Sequence, residues 1–95
     1  MQSLSTQPVV RVRTGDRVIP ELKFYAIPSY TFKDLHNDVC HFYGVPVDEY
    51  EIVGTPGGTK YPGDVCIEEE FRPLFSSGET LILDFCLKVC IHIHL

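Results

Sequence analysis

The C-terminal stretch KVCIHIHL places Cys90, His92 and His94 at every second position, and Cys86 continues the series upstream. On a β-strand such residues share one face with about 6–7 Å between alternate Cα atoms, so imidazoles and thiolates could close on one ion. A zinc site needs four ligands, or three and a water, around the metal, whereas one strand presents its ligands in a line. The expectation is no metal and no cofactor, with Cys90, His92 and His94 as the residues whose spacing comes nearest to a site. His36 and Cys40 stand one helical turn apart, where an imidazole could take the proton of a thiol. No third group to orient His36 is visible, so no catalytic residue is assigned and the chain is expected not to be an enzyme. GTPGGTK at 54–60 has the glycines of a phosphate loop but not its Gly-Lys-Ser/Thr ending at the head of a helix. Glu68-Glu69-Glu70 with Asp64 lacks the spacing of a calcium loop and reads as a solvated acidic surface.

These residues need a frame, and 95 residues supply one core but not two. With 44% hydrophobic and 12% aromatic residues the chain can offset the entropy of folding by burial. A net charge of -5 repels nucleic acid and anionic membrane at long range, so neither is expected as the main partner. The MQSLSTQ start has no basic region followed by an apolar run, and two of the four cysteines lie in one strand pattern. Reduced thiols and a cytoplasmic or nuclear location are the corresponding expectation.

Residues 1–7 are polar and expected to fray, and the domain proper is expected over 8–95. Two alternating runs around Thr14-Gly15-Asp16 predict a β-hairpin. Val10, Val12, Leu22 and Phe24 would face inward, and Arg11, Arg13, Glu21, Lys23 and Tyr25 outward. Pro20 cannot donate to a ladder, which predicts an edge or bulged second strand. Phe32, Leu35, Val39 and Phe42 recur at helical spacing, with Ser29 or Thr31 as the cap and Gly44 as the terminator. A strand around Tyr50–Val53 follows, then a Gly/Pro-rich connection. Val65–Ile67 is expected as a short strand, Glu68–Leu74 as an irregular or single-turn segment, and the final strand begins at Thr80.

The segment TFKDLHNDVCHFYGVPVDEYEIV resembles the helix and following strand of ubiquitin without a gap. Thr31 stands at the helix start, Phe32, Leu35 and Val39 on its inner face, and Gly44-Val45-Pro46-x-Asp48 leads into the next strand. Pro28 and Ser29 precede the helix as in ubiquitin, and GETLILDF resembles its last strand. The resemblance covers about residues 9–87 and implies an α+β, ubiquitin-like β-grasp fold, a mixed four- to five-stranded sheet packed on one helix. The chain ends in His94-Leu95 rather than Gly-Gly, which implies a domain that is not conjugated to lysines. Val53 lies near one position of ubiquitin's hydrophobic recognition patch, while Asp84 stands where that patch has an apolar residue.

The resemblance implies a binding module of scaffold or adaptor type recognising a protein partner with an acidic surface, and the apolar C-terminal row adds the expectation that it is the N-terminal domain of a longer protein. Arg11, Arg13 and Lys23 would reinforce one another on the outer face of the first hairpin near Tyr25, with Arg17 in the same hairpin, and these five are the expected partner-binding residues. Ras-binding domains of this fold extend a partner's sheet through a basic edge strand, so recognition of a small GTPase is the alternative. A metal-binding or Cys/His enzyme module is a more distant one.

Every odd position from Leu81 to Leu95 is apolar. A strand of that length would run about 50 Å, against roughly 30–35 Å for the diameter of a compact domain of this size. Val89, Ile91, Ile93 and Leu95 therefore call for cover from a second copy, from a fold-back beside Pro8–Val12, or from further chain. Deleting Val89–Leu95 is expected to change solubility or oligomeric state in size-exclusion chromatography while leaving the core folded. An unchanged elution volume together with unchanged melting would contradict it.

Overall fold

The computed structural model describes residues 8–14, 21–55 and 57–88. Strand β1 (Val9–Arg13) pairs antiparallel with β2 (Leu22–Tyr25), and helix α1 (Phe32–Tyr43) follows. Strand β3 (Tyr50–Gly54), two short helical turns, α2 (Ile67–Glu70) and α3 (Arg72–Ser76), and strand β4 (Leu81–Leu87) complete the order. The sheet order is β2-β1-β4-β3, with β1 and β4 parallel and the other two pairs antiparallel. It is the expected mixed sheet, with four strands.

Alternation decides which residues enter the core. Val10, Val12 and Leu83 are fully buried, Leu81 and Phe85 nearly so, and Leu35, Val39 and Cys40 of α1 close over them. Rings finish the layer, with Tyr50 stacked on Phe85 at 5.0 Å and Tyr43 tilted against it at 5.5 Å. Phe42 departs from the expected inner face and is 66% exposed. It lies at one margin of the apolar stripe, about 20° beyond Leu35 and about 60–80° from Val39 and Phe32, whereas Tyr43 and Cys40 lie on the other side of Phe32 and reach the sheet.

The helix ends are set by local chemistry. The Thr31 hydroxyl accepts from the Asp34 N–H at 3.1 Å, and the Asp34 carboxylate accepts from the Thr31 N–H at 3.1 Å. Gly44 ends the helix in the left-handed region at φ 70, as its position in the sequence predicts. The start of the helix also leans on the long connection, because the Phe32 N–H donates to Val65 O and the Lys33 N–H to Gly63 O. Residues 65–67 do not form the expected strand. Cys66 makes a single bridge to Thr31, and Ile67 already begins α2, so the short run is used to brace the helix start rather than to widen the sheet.

Both edges of β1 are occupied, by β2 on one side and β4 on the other. Leu87, the last residue of the C-terminal apolar row within β4, is already 57% exposed. Residues 89–95 and Pro20 lie outside the described residues.

Two substitutions test this framework. Thr31→Ala, which removes one half of the reciprocal cap, is expected to cost about 1 kcal/mol in urea unfolding. Leu35→Ala, at a site with no exposure, is expected to cost about 2–5 kcal/mol.

Candidate functional site

The strand registers line up one outer face. Arg11 lies between Lys23 of β2 and Ile82 of β4, Val9 opposite Tyr25, and Arg13 beside Asp84. Across β4, Asp84 faces Val53 and Cys86 faces Glu51. Arg11, Arg13, Lys23 and Tyr25 are all exposed, and the Lys23 ammonium sits 5.5 Å from the centre of the Tyr25 ring. The structure thus brings four of the five sequence-selected residues onto one surface. Arg17 lies outside the described residues.

The face is less positive than the basic side chains alone suggest. Arg11 donates from both Nε and Nη2 to the Glu21 carboxylate, and Arg13 donates from Nε and Nη2 to Asp84 Oδ1 at 3.3 and 3.2 Å. Lys60, bridged to Val53, pairs with Glu51 at 3.3 Å. Each pair is solvent-exposed on at least one side, and such pairs contribute only about 0–1 kcal/mol, so they restrain the side chains without removing them from use. Glu21 reaches Arg11 diagonally across the hairpin, two residues before the directly opposed Lys23. Asp84 as the partner of Arg13 is 71 residues away and follows only from the parallel pairing of β1 with β4.

His36 and Cys40 are assembled for structure rather than for proton transfer. His36 Nε2 lies 2.8 Å from the Tyr50 carbonyl and donates to it, tying α1 to β3. Cys40 has no exposed surface, and burial pushes its thiol pKa up, away from the thiolate a nucleophile needs. Burial, and then the Glu51 and Asp84 carboxylates, push Cys86 up as well. Among the described residues no group of three or more His, Cys, Asp or Glu side chains could hold a metal ion. Cys90, His92 and His94 lie outside them.

Sequence reasoning missed a cleft between α1 and the outer side of β3. It has a volume of about 240 Å³ and is lined by Phe32, Lys33, His36, Glu51, Ile52, Lys60, Tyr61 and Gly63. Phe32 and Tyr61 stack in its floor with centroids 4.7 Å apart and planes 8° apart. Gly54 allows this packing, since a Cβ there would meet the Tyr61 hydroxyl at 2.9 Å. The same turn covers part of the β3 edge. The Gly54 N–H donates to Thr59 O and its carbonyl accepts from Gly58, while the Tyr50 carbonyl is taken by His36. Among the described residues no strand pairs with the outer side of β2.

No protein-family model matches the sequence, and no curated protein matches it. Solved structures do. Ubiquitin from Caldiarchaeum subterraneum superposes with a TM-score of 0.67 at 12% identity over 90% of this chain and 99% of that one. A chain in the crystal structure of a pParkin–pUb–UbcH7 complex superposes with a TM-score of 0.65 at 17% identity over 90% of this chain. The match takes in 24% of that chain. The fold is the ubiquitin-like β-grasp. Among the described residues no helix is long and apolar enough to cross a membrane.

Two measurements check the thiol assignment. Under native conditions Cys40 is expected to resist maleimide labelling, and to react once the protein is unfolded in urea. A thiol held above its ordinary pKa contributes stability that is fully present below the unfolded-state value and is lost as pH rises through the folded-state value. Stability is therefore expected to fall as pH rises above about 9, with Cys40 and Cys86 both contributing. A Cys40→Ala/Cys86→Ala variant with the same alkaline decline would remove these thiols as its cause.

Proposed function

We propose that this domain is a non-catalytic protein-interaction module, of scaffold or adaptor type, that docks an acidic partner surface through the outer face of its first hairpin. The observation that carries this reading is the register placing Arg11 and Lys23 side by side, with Arg13 on the same strand and Tyr25 exposed beside them. On that face Arg11, Arg13 and Lys23 stand against Glu21 and Asp84, while the chain as a whole carries -5. The face is thus the relatively basic side of an acidic molecule, which orients an incoming partner and speeds its capture. Carboxylates of the partner can replace Glu21 and Asp84 at little net cost, because exposed pairs are exchanged for similar ones. Tyr25 adds apolar area with a polar tip, a side-chain type enriched at interfaces. The tie of His36 to Tyr50 and the burial of Cys40 support a non-catalytic role. Arg17 belongs to the same proposed surface by its place in the hairpin sequence.

A second reading is favoured by the outer side of β2, which no strand pairs among the described residues. A partner strand could add there by main-chain hydrogen bonds, with Lys23 and Arg11 pairing its acidic side chains, as in recognition of a small GTPase by Ras-binding domains. One pull-down, read by quantitative mass spectrometry, tests both. The domain is compared with its Arg11→Glu/Arg13→Glu/Lys23→Glu variant. Loss of the bound proteins with the variant is expected, and an unchanged set would reject the surface. If the lost proteins are GTP-loaded small GTPases, strand addition at β2 is the mode.

A further inference from the structure

The cleft between α1 and β3 lies at the opposite edge of the sheet from β2, and its composition differs from that of the hairpin face. Its floor is apolar, formed by the stacked Phe32 and Tyr61 rings with Ile52. Its walls carry Lys33, Lys60 and His36 against one carboxylate, Glu51. Lys33 is exposed and makes no ion pair among the described residues. The Lys60 side chain is 73% exposed, and its pairing with Glu51 is of the kind that exchanges cheaply. The positions of these groups are fixed by rigid elements. Lys33 sits in the first turn of α1, and its N–H is bonded to Gly63 on the opposite wall. His36 is held by Tyr50, and Lys60 by the bridge to Val53.

Volume narrows the occupant. Pockets for whole cofactors or drug-sized ligands run to roughly 300–1,000 Å³; about 240 Å³ suits a single large side chain. An aromatic floor under a cationic rim complements an aromatic side chain whose neighbours along the chain are carboxylates. Offset or edge contacts with Tyr61 and Phe32 would hold the ring, and Lys33 and Lys60 would pair with the flanking acids. A long polyanion would extend past the cleft onto the acidic remainder of the protein, whereas a short acidic segment meets only the two lysines, with more distant charges screened beyond about 8 Å at physiological salt.

We infer that the α1/β3 cleft is a second protein-docking site that takes a short acidic peptide segment of a partner and receives one aromatic side chain between Lys33 and Lys60. This goes beyond the hairpin reading and uses none of its residues, so either can fail without the other.

The test is an amide-resolved NMR titration of the isotope-labelled domain with the peptide acetyl-Glu-Glu-Phe-Glu-Glu-amide. Acetyl-Lys-Lys-Phe-Lys-Lys-amide and inorganic phosphate are titrated in parallel. Saturable shifts centred on Lys33, His36, Ile52, Lys60 and Tyr61 are expected with the acidic peptide alone. Lys33→Glu is expected to weaken binding about tenfold, and Arg11→Glu to leave it unchanged. Lys60→Gln, which keeps most of the side chain's length while removing its charge, decides the matter if Lys33→Glu perturbs the fold. The inference is overturned by shifts that do not saturate or that centre on Arg11 and Lys23. Equal binding of the basic peptide overturns it too, as does phosphate reproducing the same shifts, which would reduce the cleft to an anion site.

Discussion

Everything else in this domain hangs on one buried contact, that of the inner face of α1 with the parallel pair at the centre of the sheet. Leu35, Val39 and Cys40 meet Val10, Val12 and Leu83, and none of the six retains any exposed surface. A parallel pair requires a crossover, and here the crossover from β1 to β4 carries β2, α1, β3 and the long connection. Packing α1 onto that pair is what makes the outer face available, because the side chains that alternate with the core residues have nowhere else to point. The reciprocal Thr31–Asp34 cap and the bonds from Phe32 and Lys33 to the connection then fix the helix along its axis.

Local signals in the sequence proved the most legible. The helix and its Gly44 terminator follow from the apolar spacing and one glycine. The sequence narrows the start to Ser29 or Thr31 and the structure selects Thr31 with Asp34, because capping is decided within one turn. The inward and outward sets of the hairpin follow from a period of two. What the sequence hid was set by contacts between distant segments. The Thr31–Cys66 bridge turns an apparent strand into a brace, and the approach of β3 to α1 makes His36 a tie rather than a base. The partner of Arg13 required the β1–β4 register. Phe42 was misplaced for a smaller reason, since a four-residue apolar series does not by itself decide which edge of the stripe meets the sheet. The cleft left no linear pattern, because its eight lining residues come from α1, β3 and the connection.

The outer face shows how a net-acidic chain keeps a basic surface usable. Pairing Arg11 with Glu21 and Arg13 with Asp84 restrains the long side chains, so less rotamer freedom would be left to lose in any association at this face. Asp84 is central to this arrangement. It stands between Arg13 and Val53, so a position where ubiquitin is apolar serves here to anchor a guanidinium.

The unequal edges of the sheet carry a consequence for assembly. With β3 sealed at Gly54, at Val53 and at the Tyr50 carbonyl, the described part of the domain has a single edge at which strands can be added. Two copies joined there would present only sealed edges outward, so the pairing ends at a closed two-fold pair instead of running on as a filament. In such a pair the histidine that fastens the helix to the sheet would also withhold the Tyr50 carbonyl from an added strand.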